Sequence, residues 1–175
     1  KQVELSPTVC SPNHSPDFTV MKTKFQSRLT PDSSALSAAA VATKKLRAAV
    51  IGVGYLGRFH AQKYAALGGV ELVGVVDANP ETAQRVAKEL GVAAFTDYRD
   101  LLGSSPKVDL VSVASTTESH HAVARDCLGA GVHVLAEKPI TVTVSQADEL
   151  IALADARQLV LQVGHLERFN PAWLA

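Results

Sequence analysis

A chain of 175 residues is long enough to bury the core of one full domain but short for two. Its 17 basic and 17 acidic side chains cancel to a formal net charge of zero, so the composition predicts no basic surface and argues against nucleic acid or an anionic membrane as a partner. The two cysteines build no disulfide framework and no apolar run reaches the roughly 20 residues of a membrane-spanning helix, so we expect a cytoplasmic protein without a membrane partner.

The first 45 residues differ in composition from the rest of the chain. They are rich in Ser, Thr and Pro, and they show no sustained apolar period before a short stretch at residues 38–42. We expect residues 1–45 to form a disordered N-terminal extension. A transit peptide is the alternative, because residues 21–45 are basic, contain serine and have Asp32 as their one acid.

From Leu46 onward, apolar runs alternate with amphipathic stretches in a regular order. The apolar runs predict six strands, at residues 46–51, 70–77, 92–95, 108–114, 132–136 and 159–163. Helical spacing and capping residues predict helices at residues 55–67, 80–90, 97–102 and 119–130 and a further one from about Thr143. Asn79 and Gly91 are the expected caps of the second helix, and Thr143 with Gln146 has the pattern of a capping box.

This alternation indicates an α/β protein of the Rossmann type, with a doubly wound parallel sheet and helices on both of its faces. The nearly continuous apolar run at residues 108–114 suits a strand that is covered on both sides. Ligands of such sheets bind outside the carboxyl ends of the strands. The residues that directly follow the strands are therefore the candidates for a functional site.

A glycine-rich turn lies where the first predicted strand leads into the first helix. In this context the first glycine permits a tight turn, the second lets the backbone approach a pyrophosphate, and the third lets the helix pack closely on the strand. The amide groups at the start of the helix face the anion. The turn predicts a dinucleotide as the ligand. Its expected contacts are Gly52, Val53, Gly54, Tyr55, Leu56 and Gly57.

An acid closes the second predicted strand. Asp77 follows Gly57 by about 20 residues, the distance at which a carboxylate meets the adenosine ribose of a dinucleotide. Such an acid binds the ribose hydroxyls and repels a 2′-phosphate, and neither Ala78 nor Asn79 offers the cation that this phosphate would need. The sequence therefore favours NAD over NADP. A solvated residue of the turn after the strand is the alternative interpretation of Asp77.

Glu137, Lys138 and Pro139 directly follow the fifth predicted strand. A lysine held near a bound nicotinamide can take part in moving the hydroxyl proton of an alcohol as its hydride leaves. Pro139 restricts the backbone of Lys138 and so helps to orient its side chain. The alternative interpretation is an exposed loop residue, which is the more common role of a lysine directly after a strand.

Several of these stretches together resemble the Gfo/Idh/MocA oxidoreductases, which are two-domain NAD(P)-dependent dehydrogenases of sugars, cyclitols and related polyols. The resemblance covers Leu46 to the C terminus, and the ending at residues 163–171 is similar to members that act on nucleotide sugars. The stretches that carry it are the glycine turn, the turn at residues 114–117 that leads to His120, the run at residues 130–134 and above all Glu137-Lys138-Pro139.

The resemblance implies a role for each matching residue. It makes Lys138 a catalytic residue that also meets the cofactor, and Glu137 a contact to the nicotinamide half of NAD. The turn at Ser115 and Thr116 stands where the family usually has Thr-Pro, so we expect a looser turn here. Further contacts in or near the cofactor cleft are implied for Ser115, Thr116, His120, His165 and Arg168.

The resemblance also predicts the domain plan and the reaction. Residues 46–168 would form the dinucleotide-binding domain, and residues 169–175 would begin a missing α+β substrate domain. The parent enzyme, expected to be a homo-oligomer, would oxidise a hydroxyl of a sugar or nucleotide sugar by hydride transfer to the nicotinamide. The displayed chain alone would bind NAD weakly and show little or no turnover.

Two other functions stay open from the sequence. A non-catalytic dinucleotide-binding sensor or scaffold would need the glycine turn but not Lys138, and a domain for another adenosine ligand such as S-adenosylmethionine is disfavoured by Glu137-Lys138-Pro139. No metal site is predicted, because no set of His, Cys and Asp residues has ligand spacing. His60 is interpreted as a packing or surface residue and Cys127 as an inert buried thiol.

Overall fold

The structure is a computed structural model of the chain, and it describes residues 44–173. The two predictions for the N-terminal segment, a disordered extension and a transit peptide, fall on residues that lie outside the described part except for Lys44 and Lys45. Residues 174 and 175, the last two of the stretch that is expected to begin a second domain, also lie outside it.

The described residues form a six-stranded sheet in which all neighbouring strands are parallel. The strands are β1 Leu46–Ile51, β2 Val70–Val76, β3 Ala93–Phe95, β4 Leu110–Val113, β5 His133–Glu137 and β6 Leu161–Gly164. Their order across the sheet is β3-β2-β1-β4-β5-β6, so the direction of winding reverses between β1 and β4. A crevice opens at this point in doubly wound sheets. The predicted Rossmann fold is confirmed.

Five α-helices connect the strands of the described region: α1 Tyr55–Ala66, α2 Pro80–Leu90, α3 Tyr98–Gly103, α4 Thr117–Gly129 and α5 Val144–Ala156. Two short 3₁₀ helices follow β6, at Leu166–Phe169 and Pro171–Trp173. The bounds of α2 are those predicted, because the Asn79 side chain accepts hydrogen bonds from two backbone N–H groups of the first turn and Gly91 adopts a left-handed φ of 68°. The predicted capping box of Thr143 and Gln146 starts α5.

Some elements differ from their predicted bounds by one to three residues. Helix α4 begins at Thr117 rather than at residue 119, because Thr116 already has the extended backbone of an N-cap. Strand β4 is shorter than the apolar run at residues 108–114, since the ladder with β1 begins at Leu110 although Val108 is buried. None of these differences moves a strand end away from the crevice.

A hydrophobic cluster lies on each face of the sheet. On one face, Val111 and Val134 pack with Cys127 of α4 and Leu150 of α5. On the other face, Val50, Val75, Ala61 of α1 and Val86 of α2 form a smaller cluster. Burial on both faces excludes water from the central strands, and it holds the strand ends in fixed positions.

Candidate functional site

A cleft of about 610 Å³ opens at the carboxyl ends of the first four strands. Its volume is within the range of sites that bind small molecules and cofactors. The strand-end residues that border it are Gly52 and Gly54 after β1, Asp77 and Ala78 after β2, Thr96 to Arg99 after β3, and Ser115 and Thr116 after β4. The cleft therefore brings together four of the stretches that follow the strands, one of which had not been predicted.

Two of the three glycines of the turn are required by packing. Gly52 has a φ of 83°, and a Cβ atom there would lie 2.5 Å from the backbone nitrogen of Ser115. A Cβ atom on Gly57 would overlap the carbonyl oxygen of Gly52. A side chain at Gly52 would push the turn away from the loop after β4, and one at Gly57 would push α1 away from the end of β1.

Gly54 is not required by packing. A Cβ atom there would meet no heavy atom within 4 Å, and the residue is exposed and borders the cleft. Helix α1 begins at the next residue, with no side-chain cap and no acid in its first turn. The free N–H groups of that turn and the bare backbone at Gly54 form an arrangement that suits an anionic group such as a pyrophosphate.

Asp77 is tied to the glycine turn. Its Oδ2 atom accepts a hydrogen bond from the buried N–H of Val53 at 3.0 Å, and its Oδ1 atom accepts one from Asn79 N–H at 2.9 Å. Carboxylate oxygens accept more than one hydrogen bond each, so both remain able to meet ribose hydroxyls. Val53 therefore serves the site through its backbone, since its side chain belongs to the core.

The wall after β3 was missed by the sequence analysis. Thr96, Asp97, Tyr98 and Arg99 border the cleft there. The same rule that selected the other strand ends applies to β3, so the signal was available. The Arg99 guanidinium lies 4.5 Å from the Tyr98 ring centroid, 3.6 Å from Asp97 and 3.5 Å from Asp126. Because two carboxylates already neighbour this cation, it does not overturn the preference for NAD.

The turn after β4 is closed by hydroxyl groups. The Ser119 hydroxyl donates to the Thr116 carbonyl at 2.7 Å, and Ser115 Oγ lies 2.6 Å from Ser119 Oγ. Both Ser115 and Thr116 border the cleft, and their contact with the cofactor stays a prediction. These contacts hold a Ser-Thr turn together without the proline usual in the family.

His120 lies beneath this turn rather than on the wall of the cleft. It is 1% exposed, with Nε2 at 3.1 Å from the Ser115 carbonyl and Nδ1 at 3.0 Å from the Pro139 carbonyl. Both partners are carbonyl acceptors and a neutral ring donates from one nitrogen, so His120 donates to one of these carbonyls and packs against both the loop after β4 and the loop after β5. Its contact with the cofactor stays a prediction.

Glu137 and Lys138 do not border the cleft, and they differ in exposure. Lys138 is exposed, whereas Glu137 is 5% exposed. Glu137 Oε1 lies 2.9 Å from His60 Nε2, and its Oε2 atom accepts the backbone N–H of Lys138 at 3.2 Å. This geometry directs the carboxylate of Glu137 into the protein and leaves Lys138 on the surface.

His60 is a second residue whose role the sequence analysis missed. Its Nδ1 atom lies 3.1 Å from Ser112 Oγ, which lies 2.8 Å from the Tyr64 hydroxyl. A signal was present in the helix period: His60 follows Gly57 by three residues on α1, so both lie on the face that packs against the sheet.

His165 and Arg168 lie apart from the cleft. They are both exposed, and they line a separate depression at the edge strand β6, together with Gln162 and Phe169. The structure therefore does not bring these two predicted residues into contact with the glycine turn.

Among residues 44–173, no three His, Cys, Asp or Glu side chains come together as a metal site would require. In the same range, no helix has both the length and the apolar character needed to cross a bilayer.

The strand order, the glycine turn after β1 and the acid after β2 define the class of the protein: it is a dinucleotide-binding Rossmann domain. A comparison with protein families gives a match over residues 46–165 to the oxidoreductase family described by its NAD-binding Rossmann fold. The chain belongs to this family, the Gfo/Idh/MocA oxidoreductases, as the resemblance predicted, and the matched residues are its NAD-binding domain.

Relatives of known name include dehydrogenases of sugars and cyclitols. UDP-N-acetylglucosamine 3-dehydrogenase of Acidithiobacillus ferrooxidans is 50% identical over 127 residues, which are 73% of this chain and 39% of the relative. Inositol 2-dehydrogenase 1 of Saccharopolyspora erythraea is 36% identical over 134 residues, or 74% of this chain and 39% of that protein. The chain thus spans about two fifths of the length of these relatives.

Solved structures give the same result. The structure of the Acidithiobacillus ferrooxidans enzyme superposes with a TM-score of 0.68 over 73% of this chain and 41% of that one, at 50% identity. The scyllo-inositol dehydrogenase of Lactobacillus casei, solved with bound NAD(H) and scyllo-inositol, superposes with a TM-score of 0.69 at 27% identity, over 75% of this chain and 39% of that one.

Proposed function

We propose that this chain is the NAD-binding part of a dehydrogenase that oxidises a hydroxyl of a sugar or nucleotide sugar. The observation that carries the proposal is the open backbone at Gly54, which borders the cleft beside Asp77 although no packing contact demands a glycine there. The printed names of the relatives support the substrate class, since they include a nucleotide-sugar dehydrogenase and an inositol dehydrogenase.

Three groups of cleft residues would each contact a different part of NAD. The backbone of Gly52 to Gly57 and the first turn of α1 would hold the pyrophosphate, and Asp77 would accept hydrogen bonds from the adenosine ribose. The wall at Thr96 to Arg99 would cover the adenine end. When bound, NAD accepts the hydride of the substrate at its nicotinamide ring.

Lys138 would receive the hydroxyl proton of the substrate. It is exposed at the carboxyl end of β5. Its two neighbours, Glu137 and Pro139, each lie within hydrogen-bond distance of a histidine. An amine can accept the proton of a hydroxyl only when it is within hydrogen-bond reach of that hydroxyl. The rate of proton transfer therefore depends on where the lysine amine is held as well as on its acidity. A sensor or scaffold would have no use for this lysine.

His165 and Arg168 would contact the substrate or the outer part of the cofactor. Both are exposed cationic or hydrogen-bonding groups at the carboxyl end of β6. Arginine is well suited to the phosphates of a nucleotide sugar, because its planar donors match phosphate oxygens.

Three further expectations concern the whole protein and belong to the proposal. Residues 169–175 would begin a substrate domain, in keeping with relatives that extend well beyond the matched part. The full-length parent would be a homo-oligomer, and it would work in the cytoplasm. These points draw on the family resemblance.

A glycine pair tests the cofactor site. Alanine at Gly54 would place a methyl group where the pyrophosphate must approach, so we expect the NADH Kd of the 175-residue chain to rise at least about tenfold. Gly68 is the matched control, because a Cβ atom there also meets nothing within 4 Å but lies away from the cleft. Equal NADH affinity of the Gly54→Ala and Gly68→Ala variants, measured by calorimetry, would contradict the proposed site.

The enzymatic part is tested at Lys138. In a protein that also contains the substrate domain, Lys138→Ala should abolish sugar oxidation and leave the NADH Kd within about twofold. Unchanged turnover would exclude Lys138 as the proton acceptor.

A further inference from the structure

We propose that His60 is a positioning residue for Lys138, and that it acts through the buried carboxylate of Glu137. The inference rests on the proposed function, in which Lys138 meets the hydroxyl of the substrate. It also changes the expected role of Glu137 from a cofactor contact to an anchor of the loop.

With a neutral His60, the hydrogen bonds of this network run in one direction. His60 Nε2 faces the acceptor-only carboxylate of Glu137 at 2.9 Å, so Nε2 carries the hydrogen. In that neutral tautomer Nδ1 is an acceptor, and it receives the Ser112 hydroxyl at 3.1 Å. The Tyr64 hydroxyl then donates to Ser112 Oγ at 2.8 Å. Every donor in the series has one acceptor, and the series runs from Tyr64 to Glu137.

The network ends at the backbone N–H of Lys138. The second carboxylate oxygen of Glu137 accepts the N–H of Lys138 at 3.2 Å. Three side chains from α1 and β4 are therefore connected to the backbone of Lys138 through one carboxylate. A shift of His60 would release the carboxylate, and with it the start of the loop.

Little free space surrounds the carboxylate of Glu137. Glu137 is 5% exposed, and a Cβ atom on Gly164 of the neighbouring strand would lie only 3.0 Å from Glu137 Oε1. Ser112 is fully buried, and the described residues contain no buried side-chain nitrogen or oxygen without a hydrogen-bond partner. A carboxylate with so little free space and a hydrogen bond on each oxygen has a fixed orientation.

A purely structural role would be met more simply by apolar side chains. Burying a histidine, a serine and a glutamate costs desolvation, and well-packed apolar residues of the same size are often at least as stabilising. What the polar network adds is a defined hydrogen bond to the N–H of Lys138. On the other side of Lys138, the Pro139 carbonyl lies 3.0 Å from Nδ1 of the buried His120. Histidines therefore contact the residues before and after the lysine.

The test separates the two halves of the cofactor. ADP-ribose shares the adenosine diphosphate part of NADH and lacks its nicotinamide, so the ratio of the two Kd values reports the contacts at the nicotinamide end. In the proposed function the backbone of the Lys138 loop adjoins the nicotinamide, whereas the Lys138 side chain does not hold the cofactor. His60→Phe in the 175-residue chain should therefore raise the NADH Kd about tenfold and leave the ADP-ribose Kd within about twofold. His60→Gln, whose amide can still donate to Glu137, should recover part of the loss.

His121 provides a matched control. Its Nε2 atom lies 2.9 Å from Glu149 Oε2, the same distance as in the His60 pair, but this pair is on the outside of α4 and α5. His121→Phe should change neither Kd. If His60→Phe does not fold, Ser112→Ala tests the same network from its other partner and should shift the NADH Kd in the same direction by a smaller factor.

Hydrogen exchange of the Lys138 amide gives a readout that needs no ligand. We expect this amide to exchange about tenfold faster in His60→Phe than in the wild type, with no change in His121→Phe. Unchanged exchange would overturn the inference, as would equal weakening of NADH and ADP-ribose. If the wild-type chain binds neither ligand, the proposed function fails, and the exchange rate of this amide alone decides between support and rejection.

Discussion

The backbone N–H of Val53 donates to Asp77 Oδ2 at 3.0 Å, and this bond joins the glycine turn to the end of the second strand. The carboxylate that would bind ribose is therefore placed by the same backbone that would bind the pyrophosphate. Replacing Asp77 changes both the contact with the ribose and the support of the turn.

Asp77→Ala should weaken the binding of NADH more than the binding of NADPH. The variant loses a charge-assisted hydrogen bond to the ribose, so we expect the NADH Kd to rise about tenfold or more. It also removes the charge that repels a 2′-phosphate, so the preference for NADH should shrink. Calorimetric titration with both cofactors measures the two effects.

Asp148→Ala is the control for this prediction, since Asp148 is exposed on α5 and outside the cleft. An Asp77→Ala variant that keeps the wild-type preference would remove Asp77 from the account of cofactor choice.

Gly57 and Gly129 should respond to alanine with opposite signs. A Cβ atom on Gly57 overlaps the carbonyl of Gly52, so Gly57→Ala should lower the free energy of unfolding by at least about 3 kcal/mol. At Gly129, the last residue of α4, nothing lies within 4 Å, so alanine should raise that free energy by about 0.5–1 kcal/mol. Urea unfolding measures both. A mild cost at Gly57 would mean that α1 can move away from β1.

The ion pair at the start of the sheet gives a pH dependence. Arg47 donates to Asp109 from its backbone at 2.8 Å, from Nε at 3.1 Å and from Nη2 at 2.8 Å. The side-chain and then the backbone hydrogen bonds from Arg47 lower the pKa of Asp109 to about 2. Because this pKa lies below the value in the unfolded chain, the stabilisation is present above about pH 4 and is lost as the pH falls towards about 2.

Asp109→Asn should therefore lower the free energy of unfolding by about 1–2 kcal/mol near neutral pH. The difference from the wild type should stay constant down to about pH 4 and shrink below it. Asp148→Asn is the control variant, since Asp148 is exposed on α5 and lies outside this ion pair. Urea titrations at several pH values test this, and a difference that does not depend on pH would rule out the ion pair as its source.

Cys127 should be unreactive in the folded protein. It is fully buried on α4, and burial, with a smaller contribution from the charge of Asp126, raises the pKa of its thiol to about 12. In a Cys10→Ser background, a chromogenic disulfide reagent should react with Cys127 only as the protein opens, so labelling should follow added urea. Rapid labelling in native buffer would show that α4 exposes this thiol.

Local signals were sufficient to predict much of the fold. The caps of α2 and α5 lie within three residues of the groups they satisfy, so Asn79 and Thr143 could be read directly from the sequence. The alternation of strands and helices predicted the doubly wound parallel sheet, and the glycine spacing predicted a nucleotide site at the carboxyl end of its first strand.

The unpredicted parts depend on distant contacts. His60 meets Glu137 across 77 residues of sequence and Ser112 across 52, and no local pattern announces such a pairing. His120 was assigned to the cleft by resemblance, but its burial depends on how two separate loops approach each other. The wall after β3 is the exception, because the strand-end rule applies to Thr96–Arg99 as it does to the other strand ends.

The most direct test of the central claim is an NMR titration of the ¹⁵N-labelled 175-residue chain with NADH. The account predicts saturable shifts of the amides that border the cleft, led by Gly54, Asp77 and Ser115, with smaller shifts under NADPH at the same concentration. Shifts confined to the depression at β6, or no saturable shift with either cofactor, would contradict it.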